Sequence, residues 1–202
     1  MGTVAIVDYG VGNLKSVANA LSYLGCSSCI TADLAELERA DAIILPGVGA
    51  FPDAADRLRS GGLDQHVLAQ GQKKPVLGIC LGMQLLLEQG REGRTCPGLG
   101  VIRGTVDRIP TQSKLPHIGW NSLRFFHHSP LFRGLDEGAY VYFVHSFSAQ
   151  DTDPAQVIAV TDYGPAVTAA VSSGNFYGTQ FHPEKSGEVG LTILRNFAGL
   201  NC

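Results

Sequence analysis

The feature that most restricts the fold is the alternation of short apolar segments with helical patterns in the N-terminal half of the chain. Residues 3–8, 27–31 and 41–45 have the length and composition of strands, and each is followed by a segment with helical periodicity. Strands that alternate with helices form parallel sheets with crossover helices. Residues 42–45 are entirely apolar, which favours burial on both faces. The sequence therefore predicts an α/β fold with an open, mostly parallel central sheet and flanking helices.

The second half of the chain has a different pattern. Beyond Gly90, short alternating or aromatic-rich segments separated by Pro, Gly and Asp predict a section of strands that is partly antiparallel. These segments are residues 101–106, 117–125, 140–147, 157–161, 166–171 and 176–181. Residues 187–200 predict a C-terminal helix. No linker or low-complexity tract interrupts the pattern, so we expect residues 1–202 to form a single domain.

A strand, a sharp turn and a helix are predicted around Cys80. Pro75 opens an apolar run, Gly78-Ile79-Cys80-Leu81-Gly82 follows, and residues 83–89 contain no helix breaker. The Gly-x-Cys-x-Gly spacing is that of a nucleophile elbow, in which glycines allow a tight turn that presents one strained residue. A thiol at the start of a helix lies near unpaired backbone N–H groups, which favour the thiolate. Cys80 is therefore the candidate nucleophile; the alternative is a small apolar residue buried under the helix.

A thiolate nucleophile needs an acid–base partner, and histidine is the usual one. His182 ends the predicted strand 176–181, at the edge where parallel sheets carry functional groups. Because residues i and i+2 of an extended chain point to the same side, we expect Glu184 to orient the His182 ring. His145, inside an aromatic strand, is the second candidate, although such a position is more typical of a pocket wall.

Acyl transfer through Cys80 also requires hydrogen-bond donors for the developing oxyanion. The N–H of Leu81, next after the nucleophile, is one candidate. The segment Pro46-Gly47-Val48-Gly49 follows a neighbouring predicted strand and can supply a second donor from Val48 or Gly49. An ordinary glycine turn is the alternative interpretation of this segment.

Composition excludes several other functions. The net charge is −3 and no basic run is longer than Lys73-Lys74, which argues against nucleic acid or an anionic membrane as partner. No apolar run approaches the roughly 18 residues of a spanning helix. Five cysteines at irregular spacing are typical of a reducing compartment, so we expect a cytoplasmic protein.

Two further patterns are weak. His127-His128 could suggest a metal, but no third ligand lies at a telling spacing. Cys26-Ser27-Ser28-Cys29 matches C-x-x-C, yet it leads into a strand instead of opening a helix, as redox motifs do.

Taken together, these motifs resemble the triad, or class I, glutamine amidotransferases, which release ammonia from glutamine through a Cys-His-Glu triad. The resemblance rests on residues 78–84 and on His182-Pro183-Glu184. Further segments resemble the branch of the family that feeds ammonia to a (β/α)₈-barrel cyclase in histidine biosynthesis: residues 8–14, 45–51, 117–121, 142–146 and 178–186. Relatives that serve other pathways usually carry His where this chain has Met83. The similarity runs from Val4 to Phe197.

The resemblance implies a role for each matching residue. Cys80 is implied as the nucleophile, His182 as the acid that protonates the departing ammonia, and Glu184 as the group that orients His182. The implied oxyanion donors are Val48, Gly49 and Leu81. The implied glutamine-binding residues are Gly47, Gln84, Glu92, Ser146 and Phe147. The residues implied to face the cyclase, in a heterodimer, are Asn13, Trp120, Tyr142 and Lys185. No metal or organic cofactor is implied.

Three alternatives remain open on the sequence. The first is an autonomous thiol hydrolase or peptidase on a related sheet, and the second is a glutaminase of the same family that serves another synthase. The third is a nucleotide-binding module, suggested by Gly10-Val11-Gly12 after the first strand. That fingerprint fails at its third glycine, where Lys15 stands, and no acidic residue clearly follows the second strand.

Overall fold

Strands and helices alternate from the N-terminus in the computed structural model, which describes residues 2–200. The helices are α1 Leu14–Tyr23, α2 Leu34–Arg39, α3 Phe51–Ser60, α4 Leu63–Gly71, α5 Leu81–Leu85 and α6 Gly187–Ala198. The first seven strands are β1 Val4–Val7, β2 Ser28–Thr31, β3 Ala42–Gly47, β4 Val76–Cys80, β5 Leu87–Gly90, β6 Cys96–Pro97 and β7 Ile102–Arg108. The others are β8 His117–Ser122, β9 Arg124–Phe125, β10 Tyr140–His145, β11 Phe147–Gln150, β12 Val157–Asp162, β13 Ala166–Ser173 and β14 Phe176–Thr179.

The central sheet has eight strands in the order β2-β1-β3-β4-β14-β13-β12-β9. The five strands from β2 to β14 are parallel, and the pairs from β14 to β9 are antiparallel. This arrangement confirms the predicted fold class. Two smaller sheets complete the structure: an antiparallel pair of β8 and β10, and a four-stranded sheet in the order β11-β7-β5-β6.

Helices cover both faces of the parallel strands. Alternate residues of β1 point to opposite faces, so Val4 and Ile6 pack into one apolar cluster and Ala5 and Val7 into the other. The first cluster includes residues of α1 and α6, and the second includes residues of α2, α3 and α4. Every residue of β1, β3 and β4 is buried. Burial on two faces explains why these strands are apolar throughout.

The helix predicted over residues 83–89 is wrong in its bounds. The structure has the short helix α5, followed directly by strand β5, which pairs in parallel with β7. Leu85, Leu86 and Leu87 are all buried, and their carbonyls accept hydrogen bonds from residues 99–102 instead of continuing the helix. Tertiary packing on every side therefore overrides local helix propensity here.

The strand predicted over residues 140–147 is divided in two. β10 ends at His145, and β11 begins at Phe147 and pairs with β7 in a different sheet. Ser146, at the break, lies around the same cavity as Cys80, the last residue of β4. None of the helices within residues 2–200 is long and apolar enough to cross a membrane.

Candidate active site

Cys80 occupies the sharp turn between β4 and α5. Its backbone angles are φ 55° and ψ −107°, and in the described part of the chain only Asp151 is another non-glycine residue with positive φ. Neighbouring glycines make the turn sterically feasible: a Cβ on Gly82 would lie 1.8 Å from the carbonyl oxygen of Leu45, and one on Gly78 would lie 2.5 Å from that of Gly82. The backbone therefore has the geometry that the elbow motif predicts.

The elbow opens into a cavity of about 460 Å³. Cys80 is 7% exposed and contributes to the cavity wall. Most of the residues that the sequence singled out line the same cavity: Val48, Gly49, Leu81, Gln84, Glu92, Ser146, Phe147, His182 and Lys185. Pro116, Val144 and His145 complete the lining. The structure thus brings together side chains from both halves of the sequence.

His182 and Glu184 form a buried pair beside Cys80. His182 Nδ1 lies 2.8 Å from Glu184 Oε1, and their side chains are 2% and 1% exposed. The expected contact is present, but its backbone rationale was wrong: Pro183–Lys185 is a turn of 3₁₀-helix, not extended chain. The Ser186 hydroxyl donates to the His182 carbonyl at 2.6 Å and helps to hold that turn.

The electrostatics of His182 favour the imidazolium. Burial lowers the pKa of His182, but hydrogen bonding and charge interaction with Cys80 and Glu184 outweigh burial and raise the pKa to about 9. Nδ1 is committed to Glu184, while Nε2 is buried and has no hydrogen-bond partner of ordinary geometry among the described residues. The ring therefore has one nitrogen fixed by the carboxylate and the other available on the side of the sulfur.

His145, the second candidate, has a different environment. Its Nδ1 donates to the carbonyl oxygen of Phe147 at 2.8 Å, and its Nε2 lies 3.1 Å from Nδ1 of His117. Burial lowers the pKa of His145 to about 4, and burial also lowers the pKa of His117. Both rings are therefore neutral near pH 7. His145 is a wall of the cavity, whereas His182 is the histidine that interacts with Cys80.

Three of the residues predicted to bind glutamine, Glu92, Gln84 and Gly47, occupy different positions relative to the cavity. Glu92 Oε2 accepts a hydrogen bond from the N–H of Phe51 at 2.8 Å, so one carboxylate oxygen fixes the start of α3. Gln84 uses its amide nitrogen on the Phe147 carbonyl at 2.9 Å and on Gln180 Oε1 at 3.0 Å. Gly47 does not line the cavity. It pairs with Cys80 in the sheet, where an added Cβ would lie 2.8 Å from Leu81 Cβ.

Sequence reasoning missed Gln180 and His117. Gln180 is fully buried and its amide nitrogen lies 3.6 Å from Cys80 Sγ. A polar side chain two residues before His182, in a run that otherwise reads as a strand, was the signal that could have found it. His117 is stacked between Phe143 and Tyr163 at ring-centroid distances of 4.7 and 3.9 Å.

Two of the residues expected to face a partner, Trp120 and Tyr142, lie on one apolar surface. Opposite residues of the β8–β10 pair share a face, and Trp120 lies opposite Tyr142 with ring centroids 6.1 Å apart. Ile118 and Trp120 are 59% and 55% exposed. We call this exposed side of the pair, formed by Ile118, Trp120, Tyr140, Tyr142 and Val144, the β8–β10 face. Val144 also lines the cavity, so the face adjoins the cavity.

Asn13 and Lys185 occupy separate positions. Asn13 immediately precedes α1 and its Oδ1 accepts a hydrogen bond from the Ser16 hydroxyl at 2.8 Å. Lys185 ends the 3₁₀ turn after His182 and lines the cavity.

The weaker sequence patterns have structural explanations. His127 Nε2 lies 3.1 Å from the carbonyl oxygen of Pro154, and within residues 2–200 no three His, Cys, Asp or Glu side chains could hold a metal ion. Burial, then the charge of Glu36, raises the pKa of the Cys29 thiol, opposite to what a redox motif requires. A Cβ on Gly12 would lie 3.3 Å from Pro46, so this glycine allows the first loop to pack on the 46–49 segment.

A strained cysteine at a strand-to-helix turn, beside a buried His–Glu pair at the edge of a parallel sheet, is the arrangement that the resemblance to class I glutamine amidotransferases leads us to expect. The family model described as glutamine amidotransferase class-I matches residues 5–199, and the chain belongs to this family. Among curated relatives, the imidazole glycerol phosphate synthase subunit HisH of Bacillus cereus is 48% identical over 200 residues, covering 98% of this chain and 94% of the relative. The protein of the same name from Bacillus thuringiensis is 46% identical over 198 residues with the same coverage.

Solved structures show the same fold. A putative GMP synthase protein from Thermoplasma acidophilum gives a TM-score of 0.77 at 23% identity, covering 100% of this chain and 94% of that one. The structure of PurLQS from Thermotoga maritima gives a TM-score of 0.78 at 21% identity, covering 98% of both chains. These structural matches confirm the fold, while the family model and the curated relatives confirm the family resemblance seen in the sequence.

Proposed function

We propose that this chain is the glutaminase subunit of an imidazole glycerol phosphate synthase. In this proposal it hydrolyses glutamine to glutamate and ammonia and passes the ammonia to a cyclase partner. The observation that carries the chemistry is the strained Cys80 elbow, which faces the same cavity as His182. The identity of the curated relatives supports the choice of synthase over other amidotransferases.

The first step forms a thioester. The Cys80 thiolate attacks the carboxamide carbon of glutamine, and a tetrahedral intermediate with a negatively charged oxygen results. The backbone N–H of Leu81 and one from Val48 or Gly49 stabilise that oxygen; one such donor is typically worth about a hundredfold or more in rate. The His182 imidazolium protonates the leaving nitrogen, ammonia departs, and the glutamyl group remains on the sulfur.

The second step regenerates the enzyme. Neutral His182 accepts a proton from water, the hydroxide attacks the thioester carbonyl, and the carbon–sulfur bond breaks to give glutamate and the Cys80 thiolate. Glu184 stays hydrogen-bonded to Nδ1 through both steps and stabilises the imidazolium form of the ring. The net reaction consumes one water and needs no metal or organic cofactor.

Glutamine binds across the cavity in this proposal. Both N–H groups of Gln84 are used on protein acceptors, so its Oε1 is the atom left to accept from the substrate α-ammonium group. Glu92 contributes a carboxylate on the same wall. The backbone of Ser146 and Phe147, brought in by the break between β10 and β11, provides further contacts. Gly47 acts indirectly, by allowing the elbow to pack against β3.

The proposed partner is a (β/α)₈-barrel cyclase that forms a heterodimer with this chain in the cytoplasm. Ammonia released at Cys80 would be protonated in bulk water, so enclosure at a subunit interface has a chemical purpose. The β8–β10 face supports this proposal because it exposes large apolar side chains and reaches the cavity at Val144. Asn13 and Lys185 are proposed as polar contacts around it.

The proposed nucleophile is tested by Cys80→Ala. We expect this variant to fold and to lose glutamine hydrolysis by a factor of about 10⁴ or more, because no other group takes over the covalent step. Cys29→Ala, at a half-buried thiol on β2, is the matched control and should keep wild-type turnover. Both are assayed as glutamate formed with time, with and without the partner. Retained turnover in Cys80→Ala would remove Cys80 from the mechanism.

A further inference from the structure

Within residues 2–200, the side-chain amide of Gln180 is the one uncharged group that forms a hydrogen bond with the Cys80 sulfur. Its Nε2 lies 3.6 Å from Sγ, a normal distance for a donor to sulfur. Gln180 is fully buried and does not line the cavity, so its contact is with the nucleophile and not with the substrate site. Burying an amide without hydrogen bonds costs folding free energy, so we expect both Oε1 and Nε2 of Gln180 to have hydrogen-bond partners.

One backbone carbonyl fixes which end of Gln180 faces the sulfur. The carbonyl oxygen of Phe147 can only accept, so Gln84 must present its NH₂ group to it. The second N–H of the same NH₂ group donates to Gln180, which must therefore present Oε1 to Gln84. The NH₂ group of Gln180 is then left to face Cys80. The opposite orientation of Gln180 would bring its NH₂ group against the NH₂ group of Gln84 and its oxygen against a thiolate at Cys80.

The same carbonyl also orders the histidine pair. His145 Nδ1 donates to Phe147, so the neutral ring accepts at Nε2, and His117 donates to it from Nδ1. His117 Nε2 then accepts from the amide of Asn121 at 3.5 Å, and that amide also donates to the carbonyl of Asp162 at 2.8 Å. Each of these hydrogen bonds has one donor and one acceptor. The series is therefore satisfied by one tautomer of each histidine and one orientation of the Asn121 amide.

We propose that Gln180 is a positioning residue for the nucleophile: its amide N–H donates to Cys80 Sγ, holds the sulfur at the elbow and stabilises the thiolate. Gln84 has a second role as the group that orients Gln180. A donor to sulfur is most valuable when the sulfur is charged, because hydrogen bonds to ions are stronger than those between neutral groups. The inference rests on the proposed role of Cys80 as nucleophile.

Gln180→Met removes the amide donor and adds no ionisable group near the sulfur. His182 and Tyr9 both interact electrostatically with Cys80, and three further groups line the cavity: Glu92, His145 and Lys185. A change in the pH dependence of the sulfur's reactivity can therefore be assigned to the missing donor.

The test is the rate of Cys80 alkylation by iodoacetamide as a function of pH, read on the Cys80 peptide by mass spectrometry. In Gln180→Met, which keeps the size and removes the donor, we expect the alkylation profile to move to higher pH, because a hydrogen bond to the charged form favours that form. Glutamine turnover at pH 7 should fall about 10- to 100-fold in kcat, the usual worth of a hydrogen bond to a charged group, with KM unchanged. In Gln180→Glu, which keeps the acceptor for Gln84 but adds a negative charge, the loss should be larger and should diminish at low pH.

Gln70→Met is the matched control. Gln70 is also buried, at 3% exposure, but it lies on α4 away from the cavity, and its loss should leave alkylation and turnover at wild-type values. An unshifted alkylation profile in folded Gln180→Met and Gln180→Glu, or a raised KM with unchanged kcat, would overturn the proposal. If Cys80→Ala were inactive in that case, the proposed function would stand and this inference alone would fail.

Discussion

At Cys80 the backbone conformation favours glycine, whereas the proposed reaction requires a cysteine side chain. The angles φ 55° and ψ −107° would suit glycine, but only a side chain with a sulfur can perform the proposed reaction. Such conformations cost about 1–3 kcal/mol and persist where surrounding structure imposes them. Here the close packing at Gly78 and Gly82 imposes the turn. The strain places the thiol at the end of β4, where the cavity begins.

The buried histidines make stability depend on pH in opposite directions. Burial lowers the pKa of His145 to about 4, so between pH 4 and about 6.5 the unfolded chain binds more protons at this residue than the folded chain does. Its contribution is complete above pH 6.5 and is lost as the pH falls towards 4. The raised pKa of His182, about 9, acts in the other direction: its contribution is complete below pH 6.5 and is lost as the pH rises through 9.

We therefore predict that part of the pH dependence of the unfolding free energy is lost when His145 is substituted. Between pH 7 and pH 5, protonation of this residue in the unfolded chain should cost the wild type about 2 kcal/mol of unfolding free energy. In His145→Gln, which keeps a hydrogen-bond donor, the loss between these pH values should be smaller by that amount. Urea unfolding of both proteins at the two pH values measures the difference. Parallel decreases in the two proteins would show that His145 titrates normally in the folded state.

At the scale of helices and strands, the sequence predicted what local pattern determines. The apolar strands β1, β3 and β4 and the elbow could be predicted because their periodicity and glycine spacing depend on near neighbours in the chain. The helix bounds after Cys80 could not, because residues 85–87 are buried by segments that arrive later. The break between β10 and β11 was missed for the same reason, since each half pairs with a different sheet.

The candidate site shows the same division. His182 and Glu184 could be paired from sequence because they are two residues apart, even though the turn between them is 3₁₀ and not extended. Two hydrogen bonds of the Gln84 amide join three distant parts of the sequence. Gln84 is 63 residues from Phe147 and 96 residues from Gln180. Local pattern carries no information about such contacts, so only the folded arrangement reveals them.

For the whole molecule, the exposed apolar side chains of the β8–β10 face are the feature that an isolated chain leaves unexplained. Trp120 is 55% exposed and packs edge-on against Tyr142 next to the cavity. Large aromatic side chains at the centre of an interface commonly dominate its affinity. A partner that covers this face would also cover Val144, which lines the cavity.

We predict that Trp120→Ala weakens binding of the proposed cyclase partner by at least tenfold, because removal of a central aromatic anchor typically costs about 2 kcal/mol or more. Phe126→Ala is the matched control, since Phe126 is 50% exposed but lies outside the β8–β10 face. Calorimetric titration of the two variants with the cyclase gives both affinities. Wild-type affinity in Trp120→Ala would place the partner on another surface.

The most direct measurement is the mass of the Cys80 peptide after reaction with a glutamine analogue that carries an electrophilic carbon in place of the carboxamide group. The account predicts one covalent adduct, on Cys80, that forms as glutaminase activity is lost and does not form when excess glutamine is present. An adduct on a different residue, or complete inactivation with the Cys80 peptide unmodified, would contradict it.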